Sequence, residues 1–194
     1  MIVMGGSDSA NDRTEKMTTE LSRIREAIDA GIPYFGVCLG LQTLVKAAGG
    51  TVRKNAVREV AFRDPEGKFF TAEVTDEGKK DPIMRGLLAI LPMFHLHGET
   101  VDLTPDMTLL ATGTWCENQI VRIAPRMYGM QGHLELTDAM FDEWRAKSDW
   151  LASCDQSVLE RDWAERKEVL ESTLRTLFGN FLMIVDISDP LPSP

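Results

Sequence analysis

The sequence predicts an α/β domain built on a mainly parallel sheet, with a smaller antiparallel β patch beside it. Apolar residues recur at helical spacing from Leu21 to Ile28, a compact apolar run follows at Ile32 to Val37, and helical periodicity resumes from Leu39 to Ala48. The middle of the chain instead alternates polar and apolar residues over short stretches, the pattern of antiparallel strands.

Taken in order, the elements begin with a very short apolar run, Ile2 to Met4, ahead of a polar stretch. The helix carrying Leu21, Ile24, Ala27 and Ile28 is stopped by Gly31 and Pro33. Ile32 to Val37 has buried-strand character, and the next helix ends at Gly49-Gly50. Val57 to Phe62 and Phe69 to Thr75 flank Asp64-Pro65-Glu66-Gly67, a type I turn sequence, and so predict a hairpin. Strand-like runs follow at Leu91 to His95, Met107 to Ala111, Asn118 to Ile123 and Met127 to Gln131. Thr137 begins a helix carrying Met140, Phe141 and Trp144. Ser157 begins a longer one, with Leu159, Trp163, Leu170, Leu174 and Leu177 on one face and Gly179-Asn180 as its cap. Asp186 to Pro194, rich in proline, reads as a loose tail.

A length of 194 residues fits one domain, taken as residues 1–185 with the tail at 186–194. The formal net charge of -9 leaves no basic stripe and argues against nucleic acid as a partner. Small molecules or another protein are expected instead. Three cysteines at irregular spacing form neither a disulfide ladder nor a C-x-x-C metal pair, which suits a reducing compartment, by default the cytoplasm. The chain opens without a basic segment followed by a long apolar run, so no signal peptide is expected, and no span reaches the length of a membrane helix.

Gly36-Val37-Cys38-Leu39-Gly40 has the form G-x-C-x-G, the cysteine version of the nucleophile elbow, between an apolar strand and a helix as that motif requires. Its glycines let the backbone turn tightly, and the helix N-terminus favours thiolate over thiol. The alternative is a buried, inert cysteine. A thiolate nucleophile needs a base that can later protonate the leaving group, and the chain holds three histidines, His95, His97 and His133. Glu135 follows His133 by two positions, and in an extended segment the two face the same way, so the carboxylate can orient the imidazole. His95 and His97 also share a face, but nothing near them in the sequence supplies a convincing third ligand, so no metal site is expected.

Together, GVCLGLQ at Gly36 to Gln42, HGET at His97 to Thr100 and GMQGHLE at Gly129 to Glu135 resemble class I glutamine amidotransferase domains, in particular free-standing proteins similar to the glutaminase domain of GMP synthase. The likeness runs from Met4 to about Trp144. It implies a flavodoxin-like fold with helices on both faces of the sheet and no cofactor. It also implies hydrolysis of the glutamine side-chain amide through a cysteine thioester, with ammonia released for an acceptor synthetase. In that pattern Cys38 is the nucleophile, His133 the general acid and base, and Glu135 the residue that orients His133. The oxyanion hole maps to the backbone N–H groups of Leu39 and Gly6. Substrate recognition maps to Gln42 and to main-chain groups of Gly98 and Glu99, although pattern alone also fits Gln42 as a solvated helix residue.

The chain departs from the family's Q-F-H-P-E, reading Gln131-Gly132-His133-Leu134-Glu135. Phe to Gly removes packing behind His133 and predicts a looser base. Family members usually place a strand, a helix and another strand before the glycine turn, whereas only Met1 to Met4 precede it here. The expectation is either a natural chain that starts further upstream or an exposed sheet edge covered by a second copy, as in a homodimer.

Three rival readings compete with this one. Met4 to Ser9 resembles the S-G-G-x-D-S loop of ATP pyrophosphatases, but a phosphate loop must run straight into a helix, and here the chain stays polar until Leu21. A γ-glutamyl hydrolase or peptidase would use the same triad on a γ-glutamyl compound with a larger leaving amine. A non-catalytic regulatory subunit is disfavoured by the intact triad.

Overall fold

The computed structural model describes residues 1–185, and the tail at 186–194 lies outside the described residues. In chain order the elements are β1 (Ile2–Val3), α1 (Glu15–Asp29), β2 (Tyr34–Val37), α2 (Leu39–Ala47), β3 (Thr51–Ala61), β4 (Thr71–Val74), β5 (Ile90–Pro92), β6 (His95–Asp102), β7 (Thr108–Thr112), β8 (Ile120–Ala124), β9 (Met127–Met130), α3 (Asp138–Lys147), the single turn α4 (Asp149–Ala152) and α5 (Gln156–Val185). The capping of α1 is readable in its residues. Thr14 Oγ1 accepts from the Met17 N–H, Met17, Leu21, Ile24 and Ala27 form the buried stripe, and Gly31 leaves the helix at φ +64°.

Seven strands form one sheet in the order β1-β2-β9-β8-β7-β4-β5. β1, β2 and β9 pair in parallel, and antiparallel pairing of β8 and β4 with their neighbours leaves five of the seven strands running one way. The antiparallel share is larger than the patch expected, because short links such as Pro125-Arg126 between β8 and β9 can join only antiparallel neighbours. Tyr34 on β2 enters one core cluster with Met17, Ile24 and Leu44, while Phe35 and Val37 enter another with Leu170, Leu177 and Phe181. Helices therefore cover both faces, α1 and α2 on one and α5 on the other. No helix among the described residues is long and apolar enough to cross a membrane. At the β1 edge Met1, Ile2 and Met4 are exposed.

Three local expectations are corrected. The Asp64–Gly67 turn forms, with Asp64 accepting from the N–H groups of Glu66 and Lys68 and an isolated bridge between Arg63 and Phe69. The flanking strands then part, β3 to pair with β6 in a separate two-stranded ribbon and β4 to run between β5 and β7. Alternation identifies the strands, whereas longer ladders elsewhere set their partners. The run from Leu91 to His95 is broken, since Pro92 has no N–H to continue a ladder, and it ends β5 before β6 starts. The third correction concerns Gly179-Asn180, which α5 passes through, continuing to Val185. Asn180 is an anchor instead of a cap, its buried amide donating to the carbonyls of Ile83 at 2.8 Å and Arg85 at 2.7 Å. Asn180→Ala leaves both carbonyls without that partner and should lower stability by about 2 kcal/mol. Urea unfolding checks this, and an unchanged midpoint would count against the anchor.

Candidate active site

Cys38 stands at the junction of β2 and α2 with φ 51° and ψ −105°, a backbone conformation that residues with a side chain rarely adopt. The flanking glycines are needed for contact. A Cβ on Gly36 would lie 2.4 Å from the Gly40 carbonyl oxygen, and one on Gly40 would lie 2.1 Å from that of Val3. Packing β1, β2 and α2 this closely holds the thiol at the helix N-terminus, and the Cys38 N–H is tied to the Met130 carbonyl at 2.8 Å.

His133 follows β9, the parallel neighbour of β2, so adjacent strand ends bring the two side chains together. Its Nδ1 lies 2.6 Å from Glu135 Oε1, leaving Nε2 for the thiol. His133 is buried, and Trp144 packs against it edge-on with centroids 4.9 Å apart. Burial alone would push its imidazole down, but Glu135 and then Cys38 outweigh that and raise it to about 10. Such an arrangement keeps the imidazole protonated beside the thiol.

At Gly132 the space is crowded. A Cβ there would lie 2.9 Å from Met93 Sδ and 3.0 Å from His95 Cε1, so those side chains already fill the space behind His133. Of the turn residues, Gly5 sits closest to the pair, since its Cβ would come within 2.9 Å of His133 Cε1 and 3.5 Å of Cys38 Cβ. Gly6 faces Leu39, at 3.1 Å from Cδ2. A cleft of about 510 Å³ lies against Gly5, Gly6 and Leu39, with Lys16 and Arg23 in its wall.

Gln42 is buried, which excludes the solvated reading. Its Nε2 donates to the Glu99 carbonyl and to Gln131 Oε1, both at 3.2 Å, and Gln131 Nε2 reaches Cys38 Sγ at 3.5 Å. Gly98 and Glu99 lie on β6, where the Glu99 carboxylate accepts from Ser9 Oγ at 2.8 Å and Gly98 faces Trp150 and Arg58. Ser9 is thus bound to a strand, and the Met4–Ser9 stretch does not run into a helix, α1 starting at Glu15. Sequence reasoning assigned no part to Gln131 or Trp144; Gln131 stood inside a quoted motif, while Trp144 is placed only by the fold. It also missed Glu59, which β3 sets beside His95 and His97. Burial, then the His97 and His133 rings, push His95 well below its ordinary value and keep it neutral. Cys116 is buried against Thr100, and burial raises its thiol to about 12.

The profile of the family described as Glutamine amidotransferase class-I matches residues 1–144. The chain belongs to the class I glutamine amidotransferase family. A glutamine amidotransferase-like protein of Salmonella typhimurium, YfeJ, is 28% identical over 142 residues, covering 71% of this chain and 56% of that protein. The glutamine-hydrolyzing GMP synthase of Edwardsiella ictaluri is 30% identical over 143 residues, 71% of this chain and 25% of that one. The chain thus spans about half the length of the first of these curated relatives and a quarter of the second. Among solved structures, a glutamine amidotransferase from Thermotoga maritima superposes with a TM-score of 0.78 at 26% identity, covering 95% of this chain and 78% of the other. The class I amidotransferase fold is therefore shared, mixed sheet and covering helices included.

Proposed function

We propose that this amidotransferase hydrolyses the side-chain amide of glutamine through a thioester on Cys38. The observation that carries the proposal is a thiol at a strained, positive-φ strand-to-helix turn beside an imidazole whose Nδ1 is held 2.6 Å from a carboxylate. The Cys38 thiolate attacks the amide carbon, and the oxyanion that forms is stabilised by the backbone N–H groups of Leu39 and Gly6. Collapse breaks the C–N bond as imidazolium His133 gives its proton to the departing ammonia. Neutral His133 next takes a proton from water, the hydroxide adds to the thioester, and glutamate leaves as the thiolate returns. Glu135 keeps His133 in the required tautomer throughout. Gln42, Gly98 and Glu99 form the side on which the substrate's own polar groups are recognised.

Relatives named GMP synthase support a synthetase as the receiver of the ammonia. Steady-state ammonia release from glutamine, with and without such a synthetase, tests the proposal. Glutamine-dependent release that rises with the synthetase is expected. Fast cleavage of γ-glutamyl peptides with negligible glutaminase activity would move the protein to the γ-glutamyl hydrolases.

A further inference from the structure

On the β3–β6 ribbon Glu59 stands directly opposite His97, and His95 lies two residues before His97 on the same face. All three side chains are at least 97% buried, with Glu59 1%, His95 1% and His97 3% exposed. Glu59 Oε2 is 2.9 Å from His97 Nε2 and 3.8 Å from His95 Nε2, and the candidate ligand atoms of the three lie within 4.8 Å of one another.

With Glu59 ionised and His97 neutral, the hydrogen-bond accounting does not close without a further group. His97 Nδ1 faces the Glu99 carbonyl oxygen at 3.0 Å, an acceptor, so the ring proton belongs on that nitrogen. Nε2 of the neutral ring is then a lone pair aimed at an anionic oxygen. Despite the 2.9 Å separation no hydrogen bond joins them, and His97 Nε2 is buried without a hydrogen-bond partner among the described residues. Gln119 donates to Glu59 at 3.3 Å, while its Oε1 is likewise unpaired. Among the described residues the ion pairs of Glu59 are with these two rings alone, so no lysine or arginine offsets a fully buried carboxylate.

We propose that Glu59, His95 and His97 bind a divalent transition-metal ion of the zinc type, through one carboxylate oxygen and two imidazole nitrogens. Nitrogen and oxygen donors of this kind suit zinc and its neighbours, whereas magnesium and calcium prefer oxygen alone. Metal–ligand bonds of about 2.0–2.1 Å in a tetrahedron place ligand atoms about 3.3 Å apart. The 2.9 and 3.8 Å separations bracket that value. Glu99, whose carbonyl would fix the tautomer of His97, also receives Gln42. The His95 ring lies against Gly132, next to the base. The ion would thus brace β6 between the glutamine-recognition side and His133 without touching Cys38.

Metal content and binding are read directly, independently of glutaminase activity. Protein stripped with a chelator is titrated with Zn²⁺ and with Co²⁺, in wild type and in Cys38→Ala, which removes the competing thiolate. Uptake of about one ion per chain is expected. The Co²⁺ form should show visible absorption of four-coordinate type without a near-ultraviolet thiolate band, and Zn²⁺ should raise the melting temperature. Glu59→Gln, which conserves volume, should weaken Zn²⁺ at least about 100-fold, since even changes beyond the ligands reach that size. Failure of Cys38→Ala to take up either ion, or affinity unchanged in Glu59→Gln, would each overturn the site. Should Glu59→Gln fail to fold, the Co²⁺ spectrum of Cys38→Ala decides alone.

Discussion

Cys38→Ala should abolish glutamine hydrolysis, a loss of about 10⁴-fold or more, because without the thiol no thioester can form. The variant should keep its circular dichroism, since a methyl group replaces a thiol in a site that packing of Gly36 and Gly40 already defines. A glutamine-like diazo ketone should label Cys38 and no other cysteine. Cys116 is buried with its thiol raised to about 12, and burial also raises that of Cys154, so neither is poised to react. Labelling that survives Cys38→Ala would remove the nucleophile from this position. Calorimetry adds a reading independent of turnover. A φ of 51° is strained for alanine as for cysteine, so Cys38→Gly should be more stable than Cys38→Ala by about 1 kcal/mol, despite glycine's greater chain entropy. The reverse order would show that the turn stores no strain.

His133→Ala should cost as much as loss of the nucleophile, again about 10⁴-fold, because in the proposed mechanism the same imidazole protonates ammonia and activates water. Glu135→Gln should cost less, about 10²-fold, since it disturbs tautomer and charge but leaves the base in place. The pH profile separates the two roles. Glu135 is the first of the groups that raise His133, and a raised imidazolium persists until the pH climbs through its folded pKa of about 10. Removing the carboxylate lowers that pKa, so the alkaline limb of kcat/KM should move to lower pH in Glu135→Gln. An unmoved limb would free Glu135 of its orienting role, and turnover that survives loss of His133 but not of His95 would reassign the base.

What could be read from the sequence was local chemistry. Cys38 was legible because the elbow is written in five consecutive residues, and the proximity of His133 and Glu135 because an extended segment sets i and i+2 on one side. Partner choice was not legible. The turn at Asp64 predicted a hairpin, yet its strands join different sheets, and Glu59 meets His95 and His97 only through the β3–β6 register with its bulge between Lys54 and Glu59. Gly132 shows the same limit from the other side. A missing phenylalanine signalled a gap, but Met93 and His95, reached only after the chain has folded, occupy the space.

The pairing of β2 with β9 has a kinetic meaning. It brings Cys38 within reach of Gln131, 93 residues further along the chain, and the approach of Cys38 to His133 depends on it. Closing so long a loop costs entropy before any contact rewards it, so this pairing belongs among the slower events of folding. Until the strands meet, the cysteine has no imidazole beside it. The approach of Cys38 to His133 arrives with one of the most non-local contacts in the domain, which makes that pairing a report on completed topology.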